Sequence, residues 1–205
     1  MENVIIDRLA HWGMDRLSGF INIEDYDPID IKKMILGIEL FIINISKAII
    51  IYGCALLFGN VLKTLAIHFA FIVTKKFSFG LHAKNSTVCT LYCIGILVLL
   101  PLLTQYFTLN NYLVALIFAV IIFLHFRYAP ADTQARPLLG VKRRERFKRL
   151  SVLCVTALMA ISLIIPSAEV KTLFVMGSVC QTLSILPITY KILRRSVRNY
   201  EKYEL

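Results

Sequence analysis

From residue 35 onward the chain is written as six apolar runs, Ile35–Phe58, Val61–Val73, Val88–Phe107, Tyr112–Phe126, Leu150–Pro166 and Leu173–Ile188, separated by polar or turn-forming stretches. These runs constrain the fold more than any other feature. A helix rising 1.5 Å per residue needs about 20 residues to cross about 30 Å of hydrocarbon, where every backbone polar group must be satisfied within the helix. Composition agrees, since 58% of the 205 residues are hydrophobic against roughly 45–50% in an ordinary soluble domain. The expected fold is an all-α integral membrane protein with about six transmembrane helices. It divides into an N-terminal amphipathic and polar segment (1–34), a six-helix transmembrane domain (35–193) and a basic tail (194–205).

Val61–Val73 is short for a span, and charge decides its status. Lys32 and Lys33 precede the first run, Lys75, Lys76 and Lys84 follow the second, Lys142, Arg143, Arg144, Arg146, Lys148 and Arg149 lie between the fourth and fifth, and Arg194, Arg195, Arg198 and Lys202 follow the sixth. The connections near Gly59, at Thr108–Asn111 and at Ser167–Lys171 are poor in positive charge. If all six runs cross, the basic stretches share one side, as the positive-inside rule requires; without the second crossing the rule fails from Lys75 onward. Both termini and the loops 74–87 and 127–149 are therefore expected in the cytoplasm. The net charge of +10 reads as membrane flanks held by anionic lipids, and nucleic acid is not an expected partner. Five cysteines, mostly within apolar runs, do not suggest a secreted disulfide framework.

Residues 2–20 place Val4, Ile5, Leu9, Trp12 and Leu17 at near-helical spacing. Two readings stay open: a helix lying on the membrane with Trp12 at headgroup level, or a cap packed on the rest of the chain. Glu39, Asn44, Lys47, Lys63 and His68 interrupt the first two runs and are expected to face protein or water, because an exposed charge at mid-bilayer costs at least about 2.5–3.5 kcal/mol.

The densest polar stretch is Lys75-Lys76-Phe77-Ser78-Phe79-Gly80-Leu81-His82-Ala83-Lys84-Asn85-Ser86-Thr87-Val88-Cys89. A nucleophilic cysteine needs a base and a positive environment, and both are present. Ser86 reads as the N-cap of the third span, which puts Cys89 in the first turn, where the positive end of the helix dipole stabilises a thiolate. His82 lies in the preceding loop and can take the thiol proton if Gly80 lets the chain fold back. The competing explanation is that these are ordinary residues of a membrane helix, as Cys54, Cys93, Cys154 and Cys180 are taken to be. His68 and His125 are expected to serve packing or interhelical hydrogen bonds. A second loop, Arg127-Tyr128-Ala129-Pro130-Ala131-Asp132-Thr133-Gln134-Ala135-Arg136-Pro137-Leu138, is a rigid non-helical turn in which Asp132 either caps local amides or orients His82. No CxxC or HExxH pattern suggests a metal, and no cofactor is expected.

The sequence resembles the AgrB family, membrane cysteine endopeptidases of Gram-positive bacteria that mature a quorum-sensing peptide. The likeness rests on Gly80-Leu81-His82-Ala83 followed by Cys89, on Tyr128-Ala129-Pro130-Ala131-Asp132-Thr133 with Pro137-Leu138, and on the six-run pattern. The resemblance implies Cys89 and His82 as the catalytic pair, with Lys75, Lys76, Gly80, Lys84, Ser86 and Asp132 binding substrate or supporting the site. It implies an AgrD-like propeptide as substrate, whose acidic C-terminal tail is removed through an enzyme thioester and whose remainder is closed to a thiolactone. A multi-pass protein of the bacterial plasma membrane follows, with its active site at the cytoplasmic face, membrane lipids as partners and a homodimer among the expected assemblies. A small transporter or channel, with Glu39, Lys47, Lys63 and His68 lining a path and Cys and His incidental, is the alternative.

Overall fold

The computed structural model describes residues 2–19, 26–81, 86–133 and 137–204, and the described residues are helical apart from their connections. They fall into two compact units, 1–53 and 54–205.

The first unit contains α1 (Glu2–Ser18) and most of α2 (Pro28–Leu57). In α1, Ala10 and Met14 are buried one turn apart while Trp12 is 60% exposed, and the Gly13 backbone lies against Ile38 of α2. The N-terminal segment is thus helical as expected, with Gly13 turned toward α2. Asp27 and Pro28 start α2: the Asp27 carbonyl accepts from the amides of Asp30 (2.8 Å) and Ile31 (3.2 Å), its carboxylate accepts from Ile29 N (3.3 Å), and proline at the first helical position forfeits an amide that has no partner there. Of the polar residues expected to avoid lipid in this run, Glu39 and Lys47 are half-buried and Asn44 is exposed.

The second unit is organised around α7 (Ala168–Ile185), which packs on α3 (Val61–Ser78), α5 (Asn111–Tyr128) and α6 (Val141–Ile164). Ala70, Val114, Phe118, Ile121, Val155, Leu158, Phe174 and Val175 form its core. At Gly177 a Cβ would lie 2.5 Å from the Ile67 carbonyl oxygen, so glycine is what lets α3 and α7 approach backbone to backbone. His125 on α5 is fully buried and joins three helices, its Nδ1 2.7 Å from Ser151 Oγ of α6 and its Nε2 3.2 Å from Thr182 Oγ1 of α7. This is the interhelical role expected of it.

The third apolar run is α4 (Ser86–Ile94), then a π-helical turn (Gly95–Leu99) and a 3₁₀ turn (Leu100–Gln105) containing Pro101. Proline has no amide to offer the carbonyl of Val98 three residues earlier. Asn60 Nδ2 takes that place, donating to Val98 O at 2.7 Å.

Among the described residues, four helical stretches are long and apolar enough to cross a membrane: Pro28–Leu57, Thr87–Gln105, Asn111–Tyr128 and Val141–Ile164. The runs within α3 and α7 do not reach that standard. α3 carries Lys63, His68, Lys75 and Lys76, and α7 begins with Glu169 and Lys171 and continues through Ser178, Gln181 and Thr182. Those α7 polar residues are buried against neighbouring helices, Glu169 apart, so its composition reports protein surroundings. Lys63 is paired with Glu169 at 2.6 Å. Element ends also differ from expectation: α3 continues through Ser78, and Lys142–Arg149 forms the first two turns of α6, leaving a connection over 129–140. Lysine and arginine are good helix formers, so a basic stretch does not by itself end a helix. The chain closes with α8 (Pro187–Ile192) and a 3₁₀ turn (Asn199–Lys202).

Candidate active site

The two loops singled out in the sequence, one after α3 and one after α5, meet by backbone pairing. Ala131 N donates to Ser78 O (2.9 Å) and Gly80 N donates to Ala131 O (3.0 Å), a parallel bridge between Phe79 and Ala131. Leu81 N then donates to Ser184 O at the end of α7 (3.1 Å). Phe79 and Gly80 both have positive φ, 58° and 103°, which turns the chain sharply off the end of α3. A Cβ on Gly80 would collide with Ser184 Oγ and lie 3.1 Å from Ser184 O. Glycine is therefore required by both its dihedral and its surroundings.

Gln181 of α7 holds this turn from beneath. Its Nε2 donates to Phe79 O (2.6 Å) and Ser78 Oγ (3.2 Å), while Thr74 Oγ1 donates to Ser178 Oγ at 3.2 Å one turn below. Phe147 of α6 closes the outer side, its ring 5.2 Å from that of Phe79 and 6.2 Å from that of Phe77. The turn is consequently anchored to α5, α6 and α7 at once. Gln181, Ser184 and Phe147 were not among the expected site residues. Only the interruption of the apolar run 173–188 by Gln181, Thr182 and Ser184 hinted at them.

Asp132 is buried, and its carboxylate accepts from two backbone amides of the C-terminal turn, Asn199 N (3.0 Å) and Tyr200 N (2.9 Å). Its carbonyl accepts from the Tyr190 hydroxyl at 2.8 Å. Asp132 thus caps amides, but not the local ones expected: they lie 67 and 68 positions away in the chain, and the other expected partner, His82, lies outside the described residues.

Cys89 is half-buried in the first turn of α4. The five cysteines form no disulfide. Lys75 and Lys76 occupy the last turn of α3, with their ammonium groups 5.2 Å from the Phe71 ring and 5.6 Å from the Phe77 ring. α4 includes Ser86 itself, a one-residue difference from the cap reading that lies within the usual latitude of helix ends. His82, Lys84 and the side chain of Ser86 lie outside the described residues. The bridged turn ends at Leu81, immediately before His82.

Among known proteins, the chain is similar to AgrB-like proteins of Listeria innocua (43% identity over 172 residues, 84% of each chain) and Clostridium acetobutylicum (40% over 200 residues, 98% of this chain and 94% of the relative). It is also similar to the accessory gene regulator protein B of Staphylococcus haemolyticus (30% over 164 residues, 80% of this chain and 86% of the relative). No solved structure matches. The class is thus a helical protein with several segments apolar enough to span a membrane. The family profile for accessory gene regulator B matches residues 14–185, and the chain belongs to that AgrB family.

Proposed function

We propose that the protein is a membrane-embedded cysteine endopeptidase of a quorum-sensing system, acting on an AgrD-type propeptide, with Cys89 as nucleophile and His82 as its base and acid. The observation that carries this reading is the anchoring of the turn up to Leu81: three successive backbone hydrogen bonds and the Gln181 amide fix the residue before His82, while Cys89 stands in the first turn of the helix that follows. The positive end of a helix dipole favours an anionic sulfur. In the proposed reaction Cys89 attacks the carbonyl before the acidic tail, His82 carries the thiol proton to the leaving amine, and the C–N bond breaks to leave an enzyme thioester. The thiol of the substrate's own cysteine then attacks that thioester, gives up its proton, closes a thiolactone and releases the Cys89 thiol. One thioester replaces another, so the step is nearly balanced in energy provided water is excluded.

On the positive-inside rule, six crossings would put both termini and this site in the cytoplasm. Support for counting α3 and α7 as crossings comes from their packing, since Lys63, Thr74 and Ser78 of α3 and Lys171, Ser178 and Thr182 of α7 have protein partners. The transporter alternative loses one of its four path residues, because Lys63 is committed to Glu169 at 2.6 Å.

Co-expression with the propeptide tests the reading: Cys89→Ala and His82→Ala each abolish tail release while the protein still inserts, and replacing Cys54, Cys93, Cys154 and Cys180 together by Ala retains it. Tail release by the Cys89→Ala variant overturns the assignment.

A further inference from the structure

The segment after α8 folds back along a cavity of about 690 Å³ whose other walls are the 127–132 loop, the first two turns of α6 and α8. That volume is within the range of ligand pockets, roughly 300–1,000 Å³. Arg127, Arg144, Lys148 and Arg198 line it together with Asp132, Glu145 and Glu201. These charges are unequally committed. Asp132 is buried and taken up by the amides of Asn199 and Tyr200, and Glu201 lies 3.6 Å from Arg198. Arg127 and Lys148 rest on aromatic faces, 5.6 Å from the Tyr128 ring and 4.4 Å from the Phe126 ring, and among the described residues neither has a carboxylate partner.

Arg144 shows what such a wall holds. Its Nη1 donates to Glu204 Oε1 at 2.6 Å, and the same oxygen accepts from Gly140 N at 2.7 Å. The guanidinium is stacked 3.9 Å from the Tyr200 ring and held by the Leu138 carbonyl at 2.9 Å. Together Arg144 and the Gly140 amide hold the Glu204 carboxyl below the ordinary carboxylate range. A guanidinium oriented by an aromatic face and a carbonyl, with a backbone amide at a helix start beside it, is a preorganised carboxylate seat.

We propose that this cavity is a binding site for an acidic peptide segment, whose carboxylates take Arg127 and Lys148 and displace Glu204 from Arg144, so that the chain's own C-terminal segment is a competitor for the site. Several separate cations along one cavity favour a ligand bearing more than one carboxylate over a single small anion. The inference deepens the function proposed above and rests on it only for the ligand's source: the acidic stretch of the substrate would be held here, apart from Lys75 and Lys76.

Binding of a fluorescent hexaglutamate peptide to the full-length protein in zwitterionic-lipid nanodiscs, followed by anisotropy, tests this without turnover. Glu204→Gln tightens binding severalfold. Arg127→Gln with Lys148→Gln weakens it at least tenfold, whereas the charge-matched pair Lys142→Gln with Arg146→Gln, which does not line the cavity, changes it less than twofold; a circular dichroism spectrum and melting temperature equal to the parent's are required of each variant. Equal losses for the two pairs, or no gain from Glu204→Gln, overturn the proposal. Displacement of the peptide by phosphatidylglycerol added to the nanodiscs, abolished in the Arg127/Lys148 variant, would also overturn it by making the cavity a headgroup site. The two readings fail separately. Peptide binding by a protein that cleaves nothing leaves the cavity standing, and normal tail release with unaltered affinity in the Arg127/Lys148 variant removes the cavity and leaves the reaction.

Discussion

At the scale of single residues, Gly80 is the position where sequence and site are most tightly tied. Its φ of 103° is open to glycine and strained for any other residue, and Ser184 fills the space where a Cβ would go. Gly80→Ala is expected to cost about 1–3 kcal/mol from backbone strain and steric conflict, seen as a lower melting temperature in detergent together with loss of tail release. Adding Ser184→Ala recovers part of the melting temperature, because the hydroxyl is the nearest obstacle. A Gly80→Ala protein that melts with the parent would show that the turn is looser than its hydrogen bonds indicate. The glycine was legible in the sequence because it stood in a dense polar stretch. Its partner was not: Gln181 lies 102 positions from the carbonyl it holds, and no local pattern announces a side-chain contact at that separation. Asp132 was legible only as a cap for local amides, and the distant amides of Asn199 and Tyr200 that it caps became visible only once the chain had folded back from α8.

At the scale of elements, hydrophobic runs located the helices well and their ends poorly. Length and apolarity are set by the membrane, whereas ends are set by capping and by the partners of the last turn, as at Lys142–Arg149, which are helical. The runs in α3 and α7 were found as runs, yet whether they cross cannot be read from hydropathy, since polar residues facing protein lower the score of a central helix. Labelling with an impermeant thiol reagent in intact cells resolves the point. If all six runs cross, Thr108→Cys is modified from outside and Lys142→Cys only after permeabilisation. If α3 stays on one side, both assignments invert, because an omitted crossing reverses the elements after it. Both positions are exposed, so access depends on sidedness.

At the scale of the whole molecule, charge is the organising quantity. Outside the first thirty residues there are 21 Lys and Arg against 6 acidic residues; such a field can orient helices, and under the function proposed above it would also draw an anionic substrate. The two uses separate by position. Changing Lys75 and Lys76 to Gln is expected to raise KM for the propeptide several-fold, more at low salt than at high, with kcat little altered, whereas Arg194→Gln with Arg195→Gln alters insertion or orientation more than turnover. An unchanged KM at low salt for the Lys75/Lys76 variant would make that pair a topology signal alone.

The bridge between Phe79 and Ala131 bears on how this protein can be recombined with its relatives. Two segments half a hundred positions apart form a single interlocked part, each supplying the other's amide or carbonyl. A chimera that imports one segment with a residue added or lost would shift one backbone past the other and leave a donor and an acceptor idle. Exchange between relatives should therefore succeed when both segments travel together with the end of the seventh helix, and fail when either is transplanted by itself.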